Sequence, residues 1–352
     1  MTKRKDRVDY LHHDFFATEK SEDETVSQIV LSDEQETLYQ TKKSVSATDT
    51  KKIVQSFKKD NKDKGLRVFV AGGSRSGNNP IYQEEAYRLG EEIAKKGFKL
   101  NFGLSGIGIM GAVAKGMLKV WASKQKNKGT IPIKGITTEV YQSFTQQDDI
   151  VLQIHDVIVA HSLEERKNQL LAADFVIFAT GGLGTLDELV YDCVAMQDGF
   201  LPFKPFIIFN VEGFYHHILE FLKEIHFKGF ANQMPFIVVD NSYEAGVVFD
   251  ILKHKWKTNY SKEKVLDLVQ SVIYELPYIL QQKQENPNLT VASIYKQMKS
   301  SSSELIAAQI EKAYIHKEIE RMYGRLERAG LDTARVSRKL VGLKEQRRKV
   351  GS

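Results

Sequence analysis

The chain has 352 residues, a formal net charge of +5, 42% hydrophobic residues and 27% charged residues, a composition typical of a globular protein with one or two domains. Its single cysteine, Cys193, excludes an internal disulfide framework and any metal site that needs several cysteines of one chain. No apolar run approaches the roughly 20 residues of a membrane span, and the first residues lack the apolar stretch of a secretory signal. We therefore expect a cytoplasmic protein with no membrane partner.

Charge is distributed unevenly along the chain. Residues 1–66 hold 13 basic and 13 acidic residues, whereas residues 67–254 hold 18 and 21, a net charge of −3. Residues 255–352 hold 19 basic and 11 acidic residues, a net charge of +8. The positive charge of the C-terminal part favours a solvated helical surface over nucleic-acid binding, and contact with phosphates or an acidic partner stays open.

The pattern of apolar residues divides the chain into three parts. Residues 1–65 are polar and charged with isolated apolar residues, which predicts a flexible N-terminal extension. Residues 66–254 alternate short apolar runs with amphipathic stretches, which predicts a doubly wound, Rossmann-like α/β domain with helices on both faces of a parallel sheet. Residues 255–352 lack strand patterns and predict a basic, helical C-terminal extension.

Short β-branched apolar runs predict six strands, at 67–71, 99–102, 133–137, 175–179, 205–210 and 236–239. Residues 150–160 fit either a strand or a loop. Apolar residues at helical spacing predict helices at 82–97, 110–121, 162–172, 186–196, 214–227, 243–254, 262–282 and 289–299. Farther on, an amphipathic stripe that favours packing on its own domain or on a second subunit is formed by Ile315, Ile319, Met322 and Leu326.

Three glycine-rich loops follow predicted strands: the first at 71–80, the second at 102–111 and the third at 180–185. In parallel α/β sheets, ligands bind beyond the carboxyl ends of the strands, where the strand order reverses. Glycine lets backbone N–H groups approach an anion closely, and the N-terminus of a helix favours phosphate. The three loops together therefore predict a site for a phosphorylated ligand.

Two motifs in these loops have both a structural and a functional interpretation. Gly106–Gly111 matches the dinucleotide fingerprint G-x-G-x-x-G but follows the second strand, so close helix packing and general ligand binding are both favoured over NAD binding. Thr185–Glu188 matches a helix capping box, in which the Thr185 hydroxyl accepts a hydrogen bond from the N–H of Glu188. Because Glu188 lies beside a predicted phosphate site, its carboxylate is also placed to meet the rest of the ligand.

Five segments within residues 67–254 carry a family resemblance: Gly73-Ser74, Gly77–Tyr82, Gly108–Ala114, Glu165–Lys167 and Gly181–Glu188. Together they resemble the Lonely Guy (LOG) family, phosphoribohydrolases of nucleoside monophosphates that were formerly labelled lysine decarboxylases. The chain departs from the family pattern at Leu104, Ser105, Glu164 and Thr180.

The resemblance implies catalytic roles for Glu188 and Arg166. Glu188 would stabilise positive charge on the ribose and orient or deprotonate the attacking water. Arg166 would bind ribose or phosphate oxygens and orient Glu188. Without the resemblance, the sequence favours an ion pair between Arg166 and Glu165. The residues implied to bind the phosphate or ribose are Gly73, Ser74, Asn79, Gly108, Met110, Lys167, Gly181, Gly182, Gly184 and Thr185.

The resemblance thus implies a hydrolase that cleaves the N-glycosidic bond of a nucleoside 5′-monophosphate, AMP or a cytokinin-type nucleotide, to free base and ribose 5-phosphate. It also implies a site at a homodimer interface or in a higher homo-oligomer. We expect no cofactor and no metal, because neighbouring histidines such as His216 and His217 do not face one ion together. For His155 and His161, a structural role is favoured over lining the site. For Cys193, a role in packing is favoured. The alternatives are a nucleotide-binding regulatory protein without catalysis and an NAD-binding oxidoreductase.

Overall fold

The computed structural model describes residues 65–123, 130–141, 149–256 and 260–328. Two compact units are distinguished: the first runs to Ser242 and includes 258–266, and the second comprises 243–257 and continues from Asp267. The predicted N-terminal extension and basic C-terminal tail lie outside the described residues. The three-part division predicted from the sequence stays a prediction.

The described ranges contain seven strands: β1 (Arg67–Ala71), β2 (Lys99–Phe102), β3 (Ile133–Thr138), β4 (Asp156–Ala160), β5 (Phe175–Phe178), β6 (Phe206–Phe209) and β7 (Phe236–Val239). The α-helices of these ranges are α1 (Pro80–Lys95), α2 (Gly108–Ser123), α3 (Leu163–Leu170), α4 (Leu183–Gln197), α5 (His216–Phe227), α6 (Ser242–Lys255), α7 (Lys262–Glu285), α8 (Val291–Ser300) and α9 (Ser303–Arg328). Short 3-10 helices cover Val151–Gln153 and Val211–Gly213.

All strands lie parallel in one sheet, in the order β4-β3-β2-β1-β5-β6-β7. From β1 the chain first builds outward through β2, β3 and β4, and it then returns to place β5 on the other side of β1. The strand order therefore reverses between β1 and β5, which confirms the predicted doubly wound α/β fold.

The sheet is covered on both faces. Alternate residues of a strand point to opposite sides of the sheet, so a strand whose residues are all buried is covered on both sides. All four residues of β5 are buried. Val176 and Phe178 belong to a core cluster that also contains residues of α3 and α4. Phe175 packs on the other face against Phe98, which follows α1, with 6.1 Å between ring centroids.

The predicted strands are all present, and their bounds differ by at most one residue from the observed ones. Residues 150–160, which fitted either a strand or a loop, form a 3-10 helix followed by β4. Helix α4 begins at Leu183, three residues before the predicted start at 186. The first turn of α4 contains Gly184, which has no side chain and therefore adds nothing to the apolar pattern from which the helix start was predicted.

The second unit contains a polar cluster that joins three helices. Nζ of Lys255 in α6 lies 2.8 Å from Oγ of Ser271 and 2.6 Å from Oε2 of Glu275, both in α7. The hydroxyl of Tyr295 in α8 donates to the same Glu275 oxygen at 2.6 Å. These partly buried groups satisfy one another, so the cluster acts as a connection between helices.

The amphipathic stripe predicted in the C-terminal part lies on α9 and is only partly covered. Ile315 and Met322 are half-buried, and Ile319 is 40% exposed. The side chain of Leu326 lies outside the described set. None of the described helices has the length and apolarity that crossing a membrane requires. The cytoplasmic location stays a prediction.

Helices α1 and α2 touch through two glycines. A Cβ at Gly90 of α1 would overlap the carbonyl of Val113 in α2, and a Cβ at Gly116 of α2 would overlap the carbonyl of Tyr87 in α1. The obstacle in each case is backbone, which has little freedom to move inside a helix. The contact therefore requires glycine at both positions.

We expect Gly90→Ala and Gly116→Ala each to lower the free energy of unfolding by about 1–3 kcal/mol or more. The overlap with backbone outweighs the roughly 1 kcal/mol that alanine gains over glycine in a helix. Urea unfolding followed by circular dichroism measures the change. Gly324→Ala in α9 is the matched control, since a Cβ there has its nearest neighbour at 3.5 Å and is expected to be neutral or stabilising. Equal effects at the three positions would contradict the backbone-contact explanation.

Candidate active site

The first and third glycine loops leave β1 and β5, the two strands between which the strand order reverses. The N–H of Gly73 donates to the carbonyl of Thr180 at 3.0 Å. A Cβ at Gly73 would lie 3.2 Å from Cα of Gly181, so the two backbones are almost in contact. The sequence prediction that these loops share one edge of the sheet is confirmed.

The third loop leads into the N-terminus of α4, which is open to solvent. Gly182 is the N-cap residue in an extended conformation, and no side chain of the described residues caps the helix there. Gly182 and Gly184 are exposed, and a Cβ at either position would have no atom within 4 Å. The first turn of α4 therefore has exposed residues and no side-chain cap, an arrangement that leaves its first backbone N–H groups available to an anion.

The predicted capping box at Thr185–Glu188 is wrong. The helix already begins at Leu183, so Thr185 lies inside its first turn and cannot be the N-cap residue. The Thr185 side chain is buried, and its hydroxyl lies where a Cβ of Gly181 would be. Thr185 thus packs the third loop against the helix, and Glu188 is left free of a capping role.

The second glycine loop is hydrogen-bonded to the first loop. The N–H groups of Ile109 and Met110 donate to the carbonyl of Gly73 at 2.9 and 3.3 Å. Gly108 has φ +63°, and a Cβ on it would overlap the backbone of Ser74. The N–H groups that a dinucleotide pyrophosphate would need at the start of α2 are therefore already used, which favours the packing interpretation of the Gly106–Gly111 motif.

Arg166 lies in α3 and points into the interior. Its Nε donates to the carbonyl of Ile136 in β3 at 3.2 Å, and its Nη2 donates to the carbonyl of Gly103, just after β2, at 3.1 Å. The guanidinium carbon lies 5.3 Å from the ring centroid of Tyr141. The ion pair with Glu165 that the sequence favoured is absent, because Glu165 instead accepts from the N–H of His161 at 2.8 Å.

Burial dominates the electrostatics of Arg166 and Glu188. Burial lowers the pKa of Arg166, and the charge of Glu188 raises it by a smaller amount. Arg166 therefore remains charged, as arginines in proteins do. Burial raises the pKa of Glu188 to about 7, while the charges of Arg166 and Lys167 act in the opposite direction. The structure thus brings both implied catalytic side chains into one partly buried region, where Glu188 changes charge near neutral pH.

Lys167 and Asp187 connect α3 to α4 beside this region. Nζ of Lys167 lies 2.5 Å from Oδ2 of Asp187 and 4.8 Å from the ring centroid of Tyr191. The Asp187 side chain is 60% exposed, so the pair contributes little stability by itself. Its position next to Glu188 places one positive and one negative charge at the edge of the site.

The remaining predicted binding residues have different surroundings. The Asn79 side chain caps α1 by accepting from the N–H of Ile81 at 3.1 Å, and it therefore has a structural function already. Ser74 is exposed on the first loop. The Met110 sulfur lies 3.3 Å from the position of a Cβ on Gly103, beside Arg166. Binding roles for these residues stay predictions.

Asp192 and Lys204 near the site were missed by the sequence analysis. Asp192 lies one turn after Glu188 on α4, is 1% exposed, and neither of its carboxylate oxygens has a hydrogen-bond partner among the described residues. Lys204, 2% exposed, donates to the backbone carbonyls of Leu171 and Ala173. Burial raises the pKa of Asp192 well above its usual range, opposed by the charge of Lys204. The four-residue spacing from Glu188 was the signal available in the sequence.

The roles expected for His155 and His161 stay predictions, whereas the burial of Cys193 is confirmed. His155 and His161 are exposed, and Cys193 is buried, as predicted, with burial raising its pKa to about 12. Within the described ranges, no group of three or more histidine, cysteine, aspartate and glutamate residues is arranged to hold a metal ion.

Comparison with known proteins agrees with the motifs. A family model described as "Possible lysine decarboxylase" matches residues 110–271. Cytokinin riboside 5′-monophosphate phosphoribohydrolase LOG7 of Arabidopsis thaliana is 30% identical over 176 residues, which are 50% of this chain and 75% of that protein. Cytokinin riboside 5′-monophosphate phosphoribohydrolase LOG of Oryza sativa subsp. japonica is 32% identical over 165 residues, which are 47% of this chain and 63% of that protein.

Among solved structures, the Moco carrier protein of Chlamydomonas reinhardtii matches with a TM-score of 0.40 and 19% identity, covering 55% of this chain and all of that one. The sequence relationship to LOG7 extends over three quarters of that protein. The residues matched by the family model include Arg166 and Glu188. The chain therefore belongs to the Lonely Guy (LOG) family.

Proposed function

We propose that this protein is a nucleoside 5′-monophosphate phosphoribohydrolase, which uses water to release the free base and ribose 5-phosphate from AMP or a cytokinin-type nucleotide. One observation carries the proposal: the open N-terminus of α4 lies one turn ahead of the partly buried carboxyl of Glu188 on the same helix. The names of the LOG relatives as phosphoribohydrolases support the same reaction. The homodimer implied by the family resemblance stays a prediction.

The phosphate is bound at the start of α4. Backbone N–H groups of Gly184 and Thr185 precede the first internal hydrogen bond of the helix, which Leu186 makes to Gly182. These donors and the helix dipole favour a dianion. Binding the 5′-phosphate there fixes the ribose beyond it and converts a bimolecular encounter into a positioned reaction.

Glu188 and Arg166 act on the sugar. Cleavage of the N-glycosidic bond leaves positive charge on the ribose, which the carboxylate of Glu188 stabilises while it orients the attacking water. Arg166 is fixed by two backbone carbonyls, so its guanidinium keeps one orientation, and its charge acts on Glu188 and on the ligand oxygens. Water adds to C1′, the bond to the base nitrogen breaks, and the base leaves with a proton.

The first test is a chromatographic screen of nucleoside 5′-monophosphates for released base. We expect Glu188→Gln to lower kcat by about 10²–10⁴-fold because the amide cannot stabilise the sugar cation or accept a proton. The nucleoside without phosphate should react far more slowly than the nucleotide. Glu164→Gln, which removes an exposed carboxylate of α3, should retain activity.

Two results of that screen would oppose the proposal. Unchanged turnover by Glu188→Gln would exclude the assigned mechanism. Stabilisation of the protein by AMP without release of adenine would favour the regulatory nucleotide-binding alternative.

The pH dependence follows from the raised pKa of Glu188. Below about 7 the carboxyl is protonated, so the form that stabilises positive charge is lost, and kcat/KM should fall as the pH decreases through about 7. Steady-state kinetics between mildly acidic and mildly alkaline pH measure this limb. Because the substrate phosphate also titrates, at a pH of about 6, AMP binding to Glu188→Gln provides the control for that ionisation. An activity limb near the ordinary pKa of glutamate would contradict the assignment.

The phosphate position is tested by Gly184→Asp and its neutral match, Gly184→Asn. Both side chains have open space, and a carboxylate in the first turn of a helix is stabilising. We expect Gly184→Asp to keep or raise the melting temperature while raising KM for AMP by about tenfold or more relative to Gly184→Asn, because the carboxylate repels the phosphate. An equal KM in the two variants would place the phosphate elsewhere.

A further inference from the structure

Arg166 receives its orientation from two backbone segments of adjacent strands. The carbonyl of Gly103 follows β2, and the carbonyl of Ile136 lies within β3. A guanidinium has its donors in one rigid plane, so both carbonyls have to keep fixed positions relative to each other. The position of the Arg166 guanidinium therefore depends on the positions of these two segments.

Leu104 follows Gly103 and has an unusual backbone. Its φ is +58°, in the left-handed region, where a side chain with a Cβ is disfavoured. Leu104 is also buried, with 3% exposure. Such a conformation persists only where the surroundings stabilise it, and it is found preferentially near functional sites.

The stabilising surroundings are on β3. The side chain of Leu104 lies on Gly135, so closely that a Cβ at Gly135 would overlap its Cδ1. Gly135 directly precedes Ile136, whose carbonyl receives Nε of Arg166. A Cβ at Gly103 would in turn lie 2.8 Å from Nη2 of Arg166, so the guanidinium sits tightly against that segment.

We propose that Leu104 is a positioning residue for Arg166: its buried side chain, seated on Gly135, locks the carbonyls of Gly103 and Ile136 into the geometry that holds the guanidinium. Its catalytic consequence rests on the proposed function, in which Arg166 acts on the ligand. The left-handed backbone turns the Gly103 carbonyl toward Arg166, and the side chain fixes that turn to the neighbouring strand.

The first measurement does not depend on activity. The exchange of the Arg166 Nε proton, observed by ¹⁵N–¹H NMR and assigned by its loss in Arg166→Lys, reports the bond to Ile136. We expect exchange at least about tenfold faster in Leu104→Gly, because loss of the locked geometry opens the bond more often. Ile93→Ala, which truncates a fully buried side chain of α1, is the matched control and should leave it unchanged. Equal exchange in Leu104→Gly and the wild type would overturn the proposal, whether or not the protein releases base.

The second measurement is a double-mutant cycle on base release. If Leu104 acts through Arg166, Leu104→Gly should lower kcat about tenfold or more in the wild type and have no further effect when Arg166 is alanine. Ile93→Ala should change kcat by the same factor in both backgrounds. Losses from Leu104→Gly and Arg166→Ala that multiply would overturn the coupling. An inactive wild type would refute the proposed function, and the exchange experiment would still decide the role of Leu104.

A reciprocal variant covers the case in which Leu104→Gly folds poorly. Gly135→Ala displaces the Leu104 side chain without removing it, so it should accelerate the Arg166 exchange in the same way. Adding Leu104→Gly to Gly135→Ala removes the overlap and should recover melting temperature relative to Gly135→Ala alone. A Gly135→Ala protein with wild-type exchange would refute the contact.

Discussion

The backbone of Gly73 is the contact on which the arrangement of the candidate site depends. Its N–H donates to Thr180 of the third loop, and its carbonyl accepts from Ile109 and Met110 at the start of α2. One residue without a side chain therefore connects all three glycine loops through hydrogen bonds that no substitution of a neighbouring side chain removes. The glycines that the sequence offers as phosphate ligands divide accordingly: some hold the loops together, and only those at the start of α4 face open space.

Burial gives the site its chemical character. Arg166 and Glu188 lie in a partly buried region, where carbonyl oxygens hold the arginine and burial raises the pKa of the carboxyl to about 7. In such a region, charges interact more strongly than at the surface, so in the proposed reaction the positive charge on the sugar is stabilised more effectively. Asp192, buried one turn farther along α4, extends this low-dielectric region behind Glu188.

The sequence predicted the sheet well and the details of the site less well. Buried parallel strands such as FVIF at 175–178 read as continuous apolar runs, and glycines mark their ends, so fold class and loop placement followed from local pattern. The start of α4 and the role of Thr185 did not, because Gly182 and Gly184 add no side chain to an apolar pattern and because Thr185 packs against Gly181 instead of capping the helix. The carbonyl partners of Arg166 lie 30 and 63 residues away, a separation that no local pattern reports.

The glycine contact between α1 and α2 has a mechanical consequence for the loops. Two helices that meet backbone to backbone slide past one another only by losing that fit, so they behave as a single rigid block. The first loop ends where α1 begins and the second loop ends where α2 begins, which anchors both loops to the same block. We therefore expect the first two loops to move together, whereas the start of α4 lies outside this block and Leu183 there has 84% of its surface uncovered.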